Sequence, residues 1–200
     1  NADLDTTGFG FEVTPSGTDI GDCANAVVNS DETIRVTGEK SHEVRIGAVP
    51  VRSLNLPDDL IGDAWGNRYL YAVTERLGSI GTYDRDEGGI EVEDSNGNSF
   101  FKSDTDGVTR YAHYTIVSHG ENQSGAWSYS GQGTAACPGG TVETENCDND
   151  ATFVQTLLRS TGNNADDYDD LVFFSSMPRV GDNIPAGPVI ARTKPSCPEG

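Results

Sequence analysis

Positive charge is scarce in this chain of 200 residues. It carries 13 Lys and Arg against 32 Asp and Glu, which gives a formal net charge of −19 at pH 7. Nucleic acids and anionic membranes bind positively charged surfaces, so the sequence argues against both as partners. The chain also has no apolar run near the roughly 20 residues that span a bilayer, and no signal peptide is visible. We therefore expect a mature or trimmed chain that makes no membrane contact itself.

Cysteine and histidine are also few. The three histidines are scattered and the four cysteines form no C-x-x-C pair, which argues against a zinc site. An even cysteine count in an acidic, glycine-rich chain favours two disulfides in an oxidising compartment over four free buried thiols. Three pairings are open, and we favour Cys137 with Cys147 and Cys23 with Cys197. In the chain-entropy treatment the short loop contributes about 3 kcal/mol and the long one about 5 kcal/mol.

The common catalytic motifs are missing too. The sequence has no G-x-S-x-G nucleophile elbow, no H-E-x-x-H and no Walker glycine loop. Ser118 and His119 fall on opposite faces of a predicted strand, which is the wrong geometry for a nucleophile and its base. Acidic pairs such as Asp58 with Asp59 could in principle serve a glycosidase, but sequence cannot detect that pairing. We therefore expect that the protein is not an enzyme.

What the chain does contain is 24 glycines and many short alternating runs, in a length that suits one domain over residues 1–200. Alternation of apolar and polar side chains at period two predicts strands. The fold class predicted is therefore α+β, dominated by antiparallel β-sheet with long loops, and the strand at 69–73 is central because neither of its faces carries much charge. The predicted strands are 33–36, 44–46, 69–73, 90–93, 99–102, 110–117 and 171–174.

Three other segments connect or close this sheet. Asn96-Gly97 between two alternating runs predicts a hairpin turn. Residues 151–160 carry Phe153, Val154, Leu157 and Leu158 on one face at helical spacing, which favours a short helix, although Thr152 and Val154 would also suit a strand. Residues 126–147 are predicted to form an inserted surface loop closed by a disulfide, and residues 178–200 an extended C-terminal tail.

One stretch places a single large aromatic between two turn-forming residues just before a strand. It reads Asp63-Ala64-Trp65-Gly66-Asn67-Arg68-Tyr69-Leu70-Tyr71. Taken alone, Trp65 could simply be a buried residue that fills the hydrophobic core. The stretch also resembles the D-x-W-G-x-x-Y turn and strand of type II secretion pseudopilins and related type IV pilin-like proteins, in which Asp63, Trp65, Gly66 and Tyr69 would be the structural residues.

Two later stretches extend this resemblance. Residues 118–125, Ser-His-Gly-Glu-Asn-Gln-Ser-Gly, are similar to the S-x-G-x-D-G-x-x-G loop that opens the calcium-binding region of pseudopilins. Asn122 stands at the aspartate position and Gln123 at the next glycine, so a neutral ligand would weaken a calcium site there.

The third stretch is the most acidic one, residues 163–170, directly before a last apolar run. Its four carboxylates repel one another, and a divalent cation would relieve that repulsion, although a solvated acidic turn explains the run as well. Pseudopilins have an acidic run here that supplies calcium ligands. The resemblance therefore implies a Ca²⁺ site with Asp166, Asp167, Asp169, Asp170 and Asn122 as ligands.

As a whole, the resemblance implies the soluble ectodomain of a pseudopilin or minor pilin that lacks its N-terminal helix. Such a protein is a non-catalytic filament subunit, in the periplasm or at the surface of a Gram-negative bacterium. Its partners would be other pilin or pseudopilin subunits, contacted through the missing helix, and secreted cargo or a surface ligand. The alternative is a secreted, calcium-stabilised, β-rich adhesion or binding module, in which residues 126–146 contact a ligand.

Overall fold

A computed structural model describes residues 34–52, 54–78, 84, 86–103, 105–129, 133–159 and 167–176. The predictions for Cys23, Cys197, Asp166 and the tail at 178–200 lie outside the described residues. The strands are β1 Ile34–Thr37, β2 Glu43–Ala48, β3 Asn67–Arg68, β4 Leu70–Thr74, β5 Glu91–Glu93, β6 Tyr114–Ser118, β7 Trp127–Ser128, β8 Thr152–Val154 and β9 Leu171–Ser175.

Five of these strands form the main antiparallel sheet, in the order β1-β2-β4-β6-β9. The sequence prediction of a mostly antiparallel β-fold is therefore confirmed, and β4 is the central strand as expected. The pairing aligns Ile46 of β2 with Ala72 of β4, and Ala72 with Thr115 of β6. All three side chains are buried, because residues paired in register point to the same face of a sheet. This face, with Phe153 and Val172, forms the main core.

Two smaller pairs of strands complete the described fold. β3 pairs antiparallel with β7, and β5 pairs in parallel with β8. The predicted turn at 94–98 is present, since the Asp94 N–H donates to the Asn98 carbonyl at 2.9 Å and Gly97 has φ +76°. Its second arm is not a regular strand, because only the Phe100 N–H returns to β5, donating to the Val92 carbonyl at 2.9 Å.

The helix predicted over 151–160 is wrong. Residues 152–154 form β8, which lies beside β5, and Phe153 and Val154 are 2% and 4% exposed. Leu157 and Leu158, which were expected to share the buried helix face, are instead 85% and 61% exposed. The parallel partner β5 stabilises an extended backbone here, and the spacing of apolar residues cannot reveal a partner that is distant in sequence.

Helical structure in the described residues is limited to four 3₁₀ turns, and no α-helix occurs there. The turns are Glu39–Ser41, Asp58–Ile61, Glu75–Gly78 and Val142–Asn146. No helix among these residues is long and apolar enough to cross a membrane. Strand β6 also begins later than predicted. The backbone of Ala112 instead exchanges two hydrogen bonds with Ile90, at 2.9 and 3.2 Å.

The turn that begins at Asp63 is organised by the Asp63 carboxylate. Its Oδ1 accepts the N–H groups of Trp65 and Asn67 at 3.0 and 2.9 Å, and its Oδ2 accepts the Ser118 hydroxyl at 2.6 Å. Gly66 has φ +85°, which a residue without a side chain adopts at little cost. Trp65 is 42% exposed, so the interpretation of Trp65 as a buried core residue is wrong. Tyr69 instead packs, half-buried, against a second apolar cluster.

We expect Asp63→Ala to lower the free energy of unfolding by about 2 kcal/mol or more, because three donors lose a charged acceptor. Asp59→Ala is the matched control, since Asp59 is exposed in the neighbouring 3₁₀ turn. Urea unfolding of both variants measures the difference. Equal losses in the two variants would contradict this role for Asp63.

Candidate metal centre

Three acidic side chains meet at one end of the main sheet. Glu143, Asp169 and Asp170 each offer a carboxylate oxygen, and these oxygens all lie within 4.8 Å of one another. Glu143 is 3% exposed and Asp170 2% exposed, and Asp169 is half-buried. No Lys or Arg of the described residues forms an ion pair with any of them. Burial of like charges without a cation is unfavourable, so this cluster could hold a metal ion.

The register of the main sheet brings two of these residues to the loop after β6. Ser118, the last residue of β6, pairs with Leu171, the first residue of β9. In an antiparallel pair the chain that leaves one strand lies beside the chain that enters the other. Residues 119–122 therefore lie beside Asp169 and Asp170. This contact joins two of the stretches that carry the pilin resemblance in the sequence.

The third carboxylate, Glu143, is held by hydrogen bonds from that loop and from Asp169. The Asn122 side-chain amide donates to Oε1 and Oε2 of Glu143 at 3.1 and 2.9 Å, and the Asp169 N–H donates to Oε1 at 2.9 Å. The Asn122 Oδ1 accepts the Ser124 N–H at 2.8 Å. Asn122, which was predicted as a ligand, thus orients Glu143 through its NH2 group, while its side-chain oxygen accepts a hydrogen bond within its own turn.

Asp169 and Asp170 each keep one oxygen without a hydrogen-bond partner. Asp169 Oδ2 accepts the Asn122 N–H at 2.8 Å and Asp170 Oδ2 accepts the Asn146 amide at 2.8 Å, whereas both Oδ1 atoms have none. The two ring nitrogens of His119, which is 1% exposed, also have none, and its Nδ1 lies 3.7 Å from Asp170 Oδ1. Unpaired buried oxygens beside a third carboxylate are what a cation would satisfy.

Asn146 anchors this site to the core. Its Nδ2 also donates to the Val154 carbonyl at 3.1 Å, and its Oδ1 accepts the Val154 N–H at 2.8 Å. The Tyr168 hydroxyl donates to the same carbonyl at 2.6 Å. Burial raises the pKa of Tyr168 above its ordinary value. Because the strand β8 is fixed in the core, the Asp170 carboxylate bound to Asn146 is fixed as well.

Burial also raises the pKa of the Glu143 carboxyl, and the charge of Asp170 raises it further. The hydrogen bonds from Asp169 and Asn122 act in the opposite direction. The raised pKa shows that the negative charge on Glu143 is disfavoured in its surroundings. A bound divalent cation would instead favour the negatively charged form of Glu143.

Glu143 lies inside the loop that a disulfide closes. Cys137 and Cys147 are bonded, with their Cα atoms 5.6 Å apart, which confirms this predicted pair. The 3₁₀ turn Val142–Asn146 follows a capping box, in which Thr141 and Thr144 exchange side-chain to backbone hydrogen bonds. The loop after residue 126 is also held by the turn before β4, because β7 pairs with β3 in a separate two-stranded sheet.

The structure thus brings together Asp169 and Asp170 of the predicted ligands. Asp167 is half-buried and is not a member of the cluster, and Asp166 is outside the described residues. Sequence reasoning missed Glu143, His119 and Asn146. The Thr-x-x-Thr spacing inside the Cys137–Cys147 loop was a usable signal for a turn at Glu143. No local signal marks His119 or Asn146.

A second acidic group is Glu145, Asp148 and Asp150. Asp148 and Asp150 are exposed and Glu145 is half-buried, so water can solvate their charges. Burial and neighbouring charges raise the pKa of Glu145 and of Asp148 as well, but none of the three side chains has a buried oxygen without a hydrogen-bond partner. The cluster at Glu143 is therefore the candidate metal centre.

Gly120 packs directly against this centre and has φ +58°. A Cβ at this position would lie 2.4 Å from the Asp169 carbonyl oxygen and 2.6 Å from the Asp169 carboxyl carbon. Gly107 has a similar φ of +79° but nothing within 4 Å of its would-be Cβ. Alanine substitutions at Gly107 and Gly120 can therefore be compared to separate the cost of backbone strain from the cost of steric overlap.

We expect Gly107→Ala to cost about 1–2 kcal/mol of folding free energy, the penalty of a left-handed backbone alone. Gly120→Ala should cost clearly more, because Asp169 must also move. Urea unfolding in chelator measures both. Similar losses would show that the contact with Asp169 is loose.

Comparisons with known proteins found no match to this chain, either among protein-family models, among curated proteins or among solved structures.

Proposed function

We propose that this chain is the globular domain of a non-catalytic, pilin-like subunit that a calcium ion stabilises outside the cytosol. The observation that carries this proposal is the buried cluster of Glu143, Asp169 and Asp170, which has no Lys or Arg partner among the described residues. By the sequence resemblance, the subunit would belong to a type II secretion or type IV pilus-like filament.

Calcium is the cation that best fits the donors. All three ligands offer carboxylate oxygens, which are preferred by hard cations such as Ca²⁺ and Mg²⁺. They come from a 3₁₀ turn and the loop that enters β9, which form an irregular arrangement. Ca²⁺ accepts six to eight oxygens in flexible geometry, whereas Mg²⁺ needs a nearly ideal octahedron. Water and nearby carbonyl oxygens would complete the shell.

The pilin-like part of the proposal is supported by contacts between the segments that carry the resemblance. The Asp63 carboxylate accepts the Ser118 hydroxyl at 2.6 Å, so the first segment contacts the second. The Asn122 N–H donates to Asp169 Oδ2 at 2.8 Å, so the second contacts the third. Three stretches far apart in the sequence thus form one connected unit around the metal centre.

An apolar groove supports a role in assembly. It has a volume of 530 Å³, and its apolar lining includes Trp65, Leu157, Leu158, Leu171 and Phe173. These five side chains are between 42% and 85% exposed. Exposed apolar side chains that cluster in one place are typical of surfaces that contact another protein. The Cys137–Cys147 disulfide fits the periplasm or the cell exterior, where thiols are oxidised.

A secreted adhesion or binding module is the second candidate. Trp127 and Tyr129, which are 50% and 41% exposed, lie at the start of the disulfide-closed region. Exposed aromatic side chains are enriched where proteins bind ligands. In this case the calcium centre would hold the binding loop in place rather than prepare a subunit for assembly.

We expect millimolar calcium to raise the melting temperature of the oxidised chain by several degrees relative to chelator. A ligand that binds only the folded state stabilises it by about 2.7 kcal/mol at a hundredfold excess over its dissociation constant. Glu143→Gln should remove most of this shift. In chelator the same variant should melt close to the wild-type temperature, because removal of a repulsive charge offsets the loss of one acceptor for the Asn122 amide.

Glu121→Gln is the matched control for this experiment, because Glu121 is exposed, lies in the loop after β6 and is not a member of the cluster. It should keep the full calcium shift. If the wild type shows no shift, or if Glu143→Gln keeps it, the calcium centre is wrong.

Assembly is tested separately, with the full-length protein in its own bacterium. We expect an epitope-tagged protein to appear in filaments sheared from the cell surface or from cells that overproduce the secretion system. Phe173→Asp, which places a charge in the exposed part of the groove, should reduce incorporation without changing the calcium shift. Secretion of the free protein with no incorporation into filaments would favour the adhesion module.

A further inference from the structure

We propose that the Cys137–Cys147 disulfide and the calcium centre are thermodynamically coupled, so that reduction of the disulfide weakens cation binding. This inference rests on the cation binding proposed above. The coupling exists because one ligand, Glu143, belongs to the loop that the disulfide closes, whereas the other two ligands do not.

The disulfide contacts the backbone of the ligand turn directly. Cys147 Sγ lies 3.4 Å from the Glu143 carbonyl oxygen, and Cys137 Sγ lies 3.6 Å from the Thr144 carbonyl oxygen. The Thr144 hydroxyl donates to the Pro138 carbonyl at 2.7 Å, which ties the turn to the residue after Cys137. Cys137, Cys147 and the ligand turn thus form a small packed unit that contains the backbone of Glu143.

This unit is packed against the loop that supplies Asn122. A Cβ on Gly125 would lie 2.3 Å from the Cβ of Cys147, so there is no free space between loop and disulfide. On the other side, the Gly125 N–H donates to the Ala135 carbonyl at 3.2 Å and the Thr134 N–H donates to the Ala126 carbonyl at 2.9 Å. The disulfide therefore links the 133–137 segment, the 122–126 loop and the ligand turn.

Loss of the disulfide leaves Glu143 with fewer constraints. Asn146 still anchors the end of the turn to Val154, and the backbone hydrogen bonds of Thr134 and Ala135 still hold the preceding segment to the 122–126 loop, but residues 136–142 lose their covalent link to Cys147. Placing the Glu143 carboxylate beside Asp169 and Asp170 then costs additional conformational entropy. Coupling between two equilibria is reciprocal, so a bound cation must oppose reduction by the same factor.

The redox step is ordinary disulfide reduction. Dithiothreitol breaks the Sγ–Sγ bond by thiol–disulfide exchange, and two thiols form on Cys137 and Cys147. The two electrons and two protons come from dithiothreitol, which is oxidised to its cyclic disulfide. The cation takes no part in the electron transfer.

The first test is calcium titration calorimetry on the oxidised wild type and on the double variant Cys137→Ser, Cys147→Ser. We expect the dissociation constant for calcium to rise about tenfold or more in the double variant. Mutation of residues that support the ligands of a metal site typically weakens metal binding by this amount. Equal dissociation constants would overturn the coupling alone. Absence of calcium binding to the oxidised wild type would overturn both the calcium centre and the coupling.

The second test needs no cysteine variant, so it holds even if the double variant does not fold. The equilibrium between the disulfide and its two thiols is measured for the wild type in mixtures of reduced and oxidised dithiothreitol, with calcium, with chelator, and with potassium chloride at matched ionic strength. Alkylation followed by peptide mass spectrometry distinguishes Cys137 and Cys147 from Cys23 and Cys197. Calcium should shift this equilibrium several-fold toward the Cys137–Cys147 disulfide, and potassium chloride should not.

Two variants show whether the protection comes from the metal centre. Glu143→Gln should lose the protection by calcium, and Glu121→Gln should keep it. An equal equilibrium constant for reduction of the wild type in calcium and in chelator would overturn the coupling.

Discussion

The cost of burying three carboxylates in one place is the constraint on which the rest of this structure depends. Glu143 and Asp170 are almost fully excluded from solvent, and Asp169 is half-buried. Each charge would lose several kcal/mol of hydration unless other groups replace the water. The surrounding residues supply donors, above all the amides of Asn122 and Asn146. Two carboxylate oxygens stay unsatisfied, and a cation is the simplest group that completes the set.

The donors can meet the carboxylates only because the sheet fixes where loops end. The pairing of Ser118 with Leu171 places the exit of β6 beside the entry of β9. The hydrogen bond from Ser118 to Asp63 adds the turn before β4 to the same end of the sheet. Asn146 then connects β8 to Asp170. A cation at this position would stabilise four segments that are distant in sequence with one set of contacts.

A structural metal and a disulfide suit a chain of this composition. With 24 glycines and a net charge of −19, the unfolded chain has high entropy and the folded chain repels itself. A divalent cation at the Glu143 cluster would offset part of this charge, and the Cys137–Cys147 bond limits the freedom of the loop that contributes Glu143. Neither a bound cation nor a disulfide requires a large apolar core to stabilise the fold. The exposed apolar groove is then available for contact with a partner.

Local patterns in the sequence were sufficient to predict the strands of the main sheet, the central position of β4, the turn at Gly97 and the short disulfide. In these cases the signal is contained within a few neighbouring residues: alternation, a turn dipeptide, or a small cysteine spacing. The pair Asp169 and Asp170 was also predicted as part of an acidic, cation-binding stretch. Calcium itself stays a prediction.

The tertiary structure decided what depends on partners far away in the sequence. Residues 152–154 are a strand because β5 lies beside them, although their own spacing fits a helix. Glu143 joins the acidic cluster because the disulfide loop folds back onto Asn122. Asn122 supports Glu143 through its side-chain NH2 group, because its side-chain oxygen accepts a hydrogen bond within its own turn. The sequence determined which groups could bind a cation. Only the packing of distant segments determined which of them share one site, because burial and proximity arise from contacts that no local pattern encodes.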